Sequence, residues 1–394
     1  MRSLLAGALI LALAVLACSV LLPERYAVNV PLRSFILGAK PLPQSQFVQR
    51  VKVPEGFSIG IFAQGVSNAR FMRFTSAGDL LVSSPRQSTV FLLERDENGD
   101  GRADGMRPLL QDLDRPHGLD FHGEWLYVAE VGAVRRVRYD ALRRTTQGEL
   151  ETIVSNLPRG GNHRTRTLRF GPDGWMYVSI GSSCNACIEA DKRRAAIVRY
   201  RPDGTGEEIY ATGLRNSVGF DWQPQTGALF ATDNGRDYLG DDFPPCELNR
   251  VDRGGFYGWP YAHGDRVPDP KFGAGHEDRI RASSSPVHGF VAHSSPLGIT
   301  FYRGSAFPSR YRGAAFVAQH GSWNRSRKSG YRVVLLEWDE ATGEIQESDF
   351  VRGFELNEDV VGRPVDVAVG PDGALYISDD YAGAVYRVSY DGSR

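Results

Sequence analysis

The most regular feature of the chain is an alternation of apolar and polar positions that is broken at short polar turns. In the stretch 167–181, TLRFGPDGWMYVSIG, two such segments flank Pro172-Asp173-Gly174, which has the residue types of a β-turn. In a β-strand, side chains alternate between the two faces, so an alternation of apolar and polar residues directs the apolar face toward a core. This stretch therefore predicts a β-hairpin.

The hairpin recurs along the chain at a spacing of roughly 45 to 60 residues. Its copies begin at Ala69, His117, Thr167, Val218, Leu297 and Val365. A third apolar segment follows each copy. A shorter segment, which is a candidate fourth strand, lies before several of the following copies. Units of four antiparallel strands predict an all-β chain folded as a six-bladed β-propeller.

The two ends of this array do not match. The last copy stops after its third strand near Tyr390, while an apolar segment at 56–65 stands alone before the first copy. An N-terminal strand that completes the last blade would close the ring and remove two exposed sheet edges. A β-helix or a β-sandwich is the alternative fold, and neither would need this mismatch.

Alternate connections in a four-stranded blade emerge on opposite faces of the ring, which sorts the loops. The short Pro-Asp-Gly turns fall on one face. The other face receives the glycine-rich loop of His163, the loop 213–216 and the long loops that contain Cys184, Asp237 and Trp323. Loops that converge on one mouth of a propeller form a binding site, so we expect a single functional face.

Composition and charge narrow the classes of function. The chain has 394 residues, and its 44 glycines and 22 prolines suit a turn-rich β protein. A net charge of −1 does not indicate the basic surface that nucleic-acid binding needs. The arginines concentrated between Arg159 and Arg199 form a local basic patch, either an anionic ligand site or a solvated face.

Residues 1–22 carry one charged side chain, Arg2, followed by apolar and small residues. This composition predicts an export segment, either a cleaved signal peptide or a retained membrane anchor. Cys18 lies in a sequence like a lipoprotein cleavage box, and a buried core helix is the remaining alternative. We expect a linker at 23–50, a propeller domain at 51–394, and a periplasmic or other extracytoplasmic location.

Export would place the cysteines in an oxidising compartment. Cys184 and Cys187 then predict a local disulfide, with free or redox-active thiols and a metal site as alternatives. Zinc would need two further ligands, and no second pair with suitable spacing exists. Cys246 is left unpaired.

Several loops resemble those of one known family. The loop Gly160-Gly161-Asn162-His163, the GLRN loop at 213–216 and the stretch ELNRV..GGFYGWP at 247–260 are similar to the soluble periplasmic sugar dehydrogenases that use pyrroloquinoline quinone (PQQ). The aldose and sorbosone dehydrogenase-like members are the most similar, and the likeness extends over about 56–392. It implies oxidation of an aldose-type sugar or sugar aldehyde, with electrons passed to a cytochrome or quinone.

The resemblance implies that His163 is the general base, which takes the proton of the substrate hydroxyl while hydride passes to the quinone. An imidazole suits this role because it titrates near neutral pH. A core or capping histidine is the alternative interpretation.

The resemblance also implies a set of cofactor contacts. Arg215 and Asn216 would bind and polarise the quinone, and an arginine can hydrogen-bond the oxygen that gains charge. A surface salt bridge is the alternative for Arg215. The family's second carboxylate-binding arginine is Val365 here, so other cations must supply its charge. The remaining expected contacts are His117, Tyr261, Arg325, Lys328 and Arg363.

Calcium is the second implied ligand. The resemblance places it at Glu247 and the carbonyl of Tyr257, and a solvated acidic loop is the alternative. A separate loop spaces oxygen ligands as in an EF-hand, although Arg107 replaces the bidentate glutamate, and either a structural Ca²⁺ site or a plain turn fits it. Its ligands would be Asp96, Asn98, Asp100 and Asp104.

Two other functions fit a six-bladed propeller, since the fold alone does not determine the activity. A calcium-dependent lactonase or esterase would hold its metal on the central axis through acidic and amide side chains. A non-enzymatic scaffold would use the aromatic loops to bind a partner protein or a glycan.

Overall fold

The computed structural model describes residues 24–30, 42–339 and 342–392 of the chain. The predicted export segment and Cys18 lie outside the described residues. The described chain is nearly all β, with six antiparallel four-stranded blades arranged in a ring. The prediction of a six-bladed β-propeller is therefore confirmed.

The strands follow the chain order around the ring, apart from the first one. Strand β1 spans Phe57–Gln64. Blade 1 contains β2 (Met72–Phe74), β3 (Leu80–Ser84), β4 (Thr89–Leu93) and β5 (Met106–Leu110). Blade 2 contains β6 (Leu119–His122), β7 (Trp125–Ala129), β8 (Val134–Asp140) and β9 (Thr145–Val154). Blade 3 contains β10 (Arg166–Phe170), β11 (Met176–Ile180), β12 (Ala196–Tyr200) and β13 (Glu208–Thr212).

The second half of the ring carries the insertions. Blade 4 contains β14 (Phe220–Trp222), β15 (Leu229–Asp233), β16 (Cys246–Val251) and, after an insertion, β20 (His288–Phe290). The insertion contains β17 (Gly255–Phe256), β18 (Ala262–His263), β19 (Val267–Pro268) and helix α2 (Glu277–Ala282), which follows helix α1 (Gln44–Arg50) in the chain. Blade 5 contains β21 (Pro296–Phe301), β22 (Ala315–Gln319), β23 (Arg332–Trp338) and β24 (Ile345–Val351).

Blade 6 closes the ring in the predicted way. It contains β27 (Pro364–Val369), β28 (Leu375–Asp379) and β29 (Ala384–Tyr390), after the small hairpin β25 (Glu355–Leu356) and β26 (Asp359–Val360). Strand β1 is its fourth strand and pairs antiparallel with β29 from Phe57↔Tyr390 to Gln64↔Ala384. The closing strand thus covers the edge of β29 and gives the last blade four strands like the others.

Buried aspartates join neighbouring blades at the inner strands. The carboxylate of Asp120 in blade 2 accepts a hydrogen bond from the backbone N–H of Phe170 in blade 3, and Asp221 in blade 4 accepts one from Phe301 in blade 5. Both contacts measure 2.8 Å. Such charge-assisted bonds fix the register between neighbouring blades on the side of the short hairpin turns, opposite the functional loops.

Parts of the predicted linker contact the propeller. Phe47 of α1 is buried and stacks on Tyr386 of β29 with ring centroids 4.4 Å apart. The backbone N–H of Asn29 donates to the carbonyl of Trp323, which lies in the β22–β23 connection. Among the described residues, no helix has the length and apolar character needed to cross a membrane.

Candidate functional site

The loops lie on two faces of the ring as predicted, and each face surrounds one mouth of the central channel. One mouth contains a cleft of about 270 Å³ whose walls come from the connections between blades and from those between the second and third strands of a blade. His163, Arg215 and Asn216 line this cleft together with His293, His320 and Trp323. The structure therefore brings the predicted base and two of the predicted cofactor residues into one cavity.

The opposite mouth encloses a larger cavity of about 1440 Å³, lined by the short hairpin turns. Its charged groups neutralise one another, since Arg73 lies 2.7 Å from the carboxylate of Asp120, and Arg303 lies 2.7 Å from that of Asp221. Paired charges of this kind hold blades together and offer little to a ligand. We therefore place the chemistry in the smaller cleft.

His163 is held in one tautomer. Its Nδ1 lies 2.9 Å from both the carbonyl oxygen and the hydroxyl oxygen of Ser182. A carbonyl only accepts, so Nδ1 carries the proton and Nε2 keeps a lone pair. Within the described chain, Nε2 forms no hydrogen bond. Burial, followed by the charge of Arg215, lowers the pKa of His163 to about 3, so the imidazole is a neutral acceptor at neutral pH.

Arg215 is buried, and the chain itself satisfies its guanidinium. Nε donates to the carbonyl of Asn185 at 2.9 Å, and Nη1 donates to the carbonyls of Asn234 at 3.0 Å and Gly235 at 2.8 Å. Nη2 donates to Oδ1 of Asn185 at 2.9 Å and to the carboxylate of Asp237 at 3.1 Å. All five N–H groups are thus engaged, so Arg215 acts on a ligand through its charge and through the loops it fixes.

A buried carboxyl group, that of Asp233, holds the backbone of the loop 213–216. Asp233 accepts hydrogen bonds from the backbone N–H groups of Arg215 at 2.9 Å and Asn216 at 2.6 Å. Its partner across β15 and β16 is Glu247. Burial and the neighbouring Glu247 raise the pKa of Asp233 to about 8, and burial raises that of Glu247 to about 6.

The residues predicted for calcium and Tyr261 lie behind the cleft. The two carboxylate oxygens of Glu247 accept from the N–H of Gly264 at 2.8 Å and from the amide of Asn249 at 3.0 Å. Tyr257 is buried, and the ring of Tyr261 stacks on a histidine of the insertion. None of these three predicted residues lines the cleft in the described structure. Their ligand roles stay predictions.

The predicted cations of the β22–β23 connection are bound to other residues. The guanidinium of Arg325 pairs with Asp242 at 2.8 Å, and the ammonium of Lys328 lies 3.3 Å from Glu358. Arg363 donates to the carbonyl of His320 at 3.2 Å, so it braces a wall of the cleft from outside. The cation that lies in the cleft instead of Arg325, Lys328 and Arg363 was not predicted from the sequence.

That cation is Arg70, which precedes the first strand of blade 1. Its Nη1 donates to the carboxylate of Asp380 at 2.9 Å, and the same carboxylate lies 2.8 Å from Nε2 of His320. Burial and nearby positive charge lower the pKa of His320 to about 4. A single arginine before a strand gives no sequence signal, although His320 belongs to a loop that we had sorted onto this mouth.

The predicted EF-hand-like loop connects β4 and β5 on the opposite face. Its carboxylates accept hydrogen bonds from the loop's own backbone, such as the 2.7 Å bond from the N–H of Gly99 to Asp96. The amide of Asn98 donates to Asp104 at 2.9 Å. These bonds are compatible with a plain turn and with a Ca²⁺ site. The Ca²⁺ site, with Asp100 as its fourth ligand, stays a prediction.

The predicted disulfide is confirmed. Cys184 and Cys187 are bonded to each other, and Cys246 is free and buried. Cys184 and Cys187 form a group with Glu189 whose possible ligand atoms lie close together, which is the one such group of three among the described residues. Because the disulfide uses both sulfur atoms, a metal site there is excluded.

Fold and cleft together define a closed six-bladed β-propeller with a neutral histidine and several cations in one mouth. The chain belongs to the Glucose / Sorbosone dehydrogenase family, because the model of that family matches residues 126–387. This membership confirms the family resemblance seen in the sequence.

Two named relatives share this sequence similarity. The aldose sugar dehydrogenase of Escherichia coli is 25% identical over 297 residues, which cover 67% of this chain and 72% of the relative. The pyrroloquinoline quinone-dependent sugar dehydrogenase of Hypocrea jecorina is 25% identical over 319 residues, which cover 68% and 72%. An uncharacterised protein of Borreliella burgdorferi is 29% identical over 371 residues, which cover 91% and 95%.

Solved structures confirm the fold. A calcium structure of the Trichoderma reesei family AA12 enzyme aligns with a TM-score of 0.77 at 22% identity, covering 89% of this chain and 99% of that one. The holo form of the pyranose dehydrogenase PQQ domain from Coprinopsis cinerea aligns with a TM-score of 0.75 at 21% identity, covering 89% and 98%.

Proposed function

We propose that the chain is a PQQ-dependent oxidoreductase that oxidises an aldose-type sugar or a sugar aldehyde, with His163 as the general base. Membership in the dehydrogenase family supports oxidoreductase activity on sugars. The observation that carries the finer proposal is the free Nε2 of a neutral, half-buried histidine in a cleft that also contains Arg215 and Asn216.

The residues of the cleft fit PQQ. The cofactor is a planar quinone with three carboxylates, so its site needs positive charge and hydrogen-bond donors. Arg70, Arg164 and Arg215 line the cleft with the amides of Asn216 and Asn234. When bound, PQQ supplies a carbonyl that accepts two electrons as hydride.

The chain's own part in the reaction is to position the substrate and to accept its proton. Nε2 of His163 takes the hydroxyl proton, while the Ser182 carbonyl keeps Nδ1–H fixed and partly compensates the imidazolium charge. The buried charge of Arg215 disfavours a permanently protonated His163 and favours negative charge that develops in the cleft. His163 therefore stays ready to accept a proton at neutral pH.

The proposal includes a Ca²⁺ ion at Glu247 and the carbonyl of Tyr257. Each carboxylate oxygen of Glu247 accepts one protein hydrogen bond, so a bound Ca²⁺ ion would share these oxygens with Asn249 and Gly264. We assign no step of the reaction to Ca²⁺. Dialysis against EGTA, followed by assay with and without added CaCl₂, tests whether activity needs the ion.

The cleft favours the dehydrogenase over the two alternatives. A lactonase of the propeller type needs several acidic ligands around its metal, and Asp237 is the one carboxylate among the described residues that line the cleft. A scaffold does not require a histidine that is held in one tautomer with a free Nε2. The particular sugar, the electron acceptor and export through residues 1–22 stay predictions.

The test is dye reduction by purified protein supplied with PQQ, CaCl₂ and a panel of aldoses. We expect reduction that depends on both PQQ and sugar. Lactone hydrolysis without PQQ would support the lactonase instead, and the absence of both activities would support the scaffold.

A further inference from the structure

A second pocket adjoins the cleft and has an unusual lining. It measures about 510 Å³ and shares Arg70, Asn162, Arg164 and Thr165 with the cleft of His163. The rest of its lining is Asn68, Pro85, Arg86, Arg115, His117 and Gly161. We call it the arginine pocket. Four arginines line it, and no aspartate or glutamate belongs to its described lining.

The arginines of this pocket are poorly neutralised. Arg86 and Arg115 are exposed, and neither guanidinium forms an ion pair or a hydrogen bond with a described residue. Arg164 donates to the carbonyl of Gly161 in its own loop at 3.1 Å, and Arg70 alone has a carboxylate partner. The arginines of the opposite mouth are paired with aspartates instead. Unpaired guanidinium groups that converge on a cavity attract an anion.

The wall of the pocket also contains an unsatisfied hydrogen-bond acceptor. His117 is 1% exposed, and its Nε2 has no hydrogen-bond partner. The hydroxyl of Thr167 donates to the carbonyl of Val218, so it accepts from Nδ1–H of His117 at 3.4 Å and leaves a lone pair on Nε2. A buried acceptor without a donor costs free energy that a ligand hydroxyl can recover.

The position of the pocket links it to the chemistry. His163 lies between Asn162 and Arg164, and both of these neighbours line the cleft as well as the arginine pocket. A ligand in the pocket therefore ends beside the base. The arginines at its rim are exposed, which suits a ligand that exchanges with solvent at every turnover.

We propose that the arginine pocket binds the carboxylate of an acidic sugar, so that the preferred substrate is a uronic acid and not a neutral aldose. This inference rests on the proposed function. His163 would take the proton of the anomeric hydroxyl, bound PQQ would supply the two-electron acceptor for the hydride of the anomeric carbon, and the product would be the lactone of the acidic sugar. His117, which the family resemblance implied as a cofactor contact, belongs to this substrate pocket.

Direct binding tests the pocket without the redox reaction. Glucuronate and glucose differ in one carboxylate, and calorimetry measures the affinity of each for the protein without PQQ and for the protein loaded with reduced PQQ, neither of which oxidises the sugar. We expect glucuronate to bind at least tenfold more tightly than glucose, and raised salt to reduce the difference.

In the double variant Arg86→Gln/Arg115→Gln, we expect the Kd for glucuronate to rise about tenfold or more. Arg312→Gln, an exposed arginine in the β21–β22 connection, serves as the control and should bind as the wild type does.

Steady-state kinetics then separate this proposal from the proposed function. With PQQ present, we expect the double variant to lower kcat/KM for glucuronate about tenfold and to leave that for glucose within twofold. The proposal would be overturned if the wild type bound both sugars equally or did not bind glucuronate. It would also be overturned if the double variant bound glucuronate as the wild type does, or if it lost affinity for PQQ and not for glucuronate. Glucuronate binding in a protein that oxidises no sugar would refute the proposed function and leave the pocket intact.

Discussion

The reactivity of the cleft depends on single atoms and on the groups that hold them. His163 has a defined tautomer because the carbonyl of Ser182 accepts from Nδ1, and its low pKa follows from burial beside Arg215. The sequence predicted His163 because its glycine-rich loop resembles that of the PQQ-dependent sugar dehydrogenases. It could not predict that Arg215 uses all of its donors within the chain, since the acceptors are backbone carbonyls and side chains of two other loops.

Replacing His163 tests its role as the base. We expect His163→Ala to lower kcat by about 10²- to 10⁴-fold, because the hydroxyl proton loses its acceptor, while the Kd for PQQ changes little. Ser182→Ala is the matched control, since the backbone carbonyl that fixes Nδ1 remains, and its kcat should stay within about tenfold of the wild type. Wild-type turnover in His163→Ala would refute the assignment.

The pH dependence of the reaction follows from the same residue. The pKa of His163 is lowered to about 3, so the neutral, reactive form predominates at every pH above that value. We therefore expect kcat/KM to show no acid limb from this group between pH 8 and pH 5. An ordinary histidine would lose most of its activity across this range, and a fall with a midpoint near 6.5 would contradict the structure.

At the scale of elements, the disulfide loop in the β11–β12 connection joins the two halves of the cleft. Its first residues bond His163 through Ser182, and Asn185, enclosed by the disulfide, bonds Arg215 and the N–H of Asp237. The sequence predicted the disulfide from its spacing. It gave no sign that the loop binds a buried guanidinium, because that contact joins residues from different blades.

Removing the amide of Asn185 tests this connection. Asn185→Ala leaves one N–H of the buried Arg215 and the N–H of Asp237 without their acceptor, so we expect the free energy of unfolding to fall by about 1–3 kcal/mol. Ile188→Ala, an exposed position in the same loop, should change it by about 0.5 kcal/mol or less. Guanidinium denaturation measures both, and equal effects would argue against the role of Asn185.

At the scale of the whole molecule, the ring is closed by a strand from the other end of the chain. The repeat pattern and the mismatch of its ends were sufficient to predict this closure, because strand periodicity is a local signal. The pair of Asp380 and His320 and the position of Arg70 were not predictable, since they depend on how blades 5, 6 and 1 meet around the axis.

The closing strand should contribute strongly to stability. Phe57 of β1 packs edge-on against Phe307, Tyr311 and Phe350 of blade 5. We expect Phe57→Ala to lower the free energy of unfolding by about 3 kcal/mol, because it removes an aromatic side chain from a packed cluster. Ser58→Ala, on the exposed side of the same strand, should cost about 0.5 kcal/mol or less in the same denaturation experiment.

The most direct test of the central claim is a single-turnover experiment. Protein loaded with PQQ is mixed anaerobically with a sugar in a stopped-flow spectrometer, and the absorbance of the quinone is followed. The structure predicts stoichiometric reduction of the quinone in the wild type and at least a hundredfold slower reduction in His163→Ala. A quinone spectrum that stays unchanged in the wild type with neutral and acidic sugars alike would contradict the account.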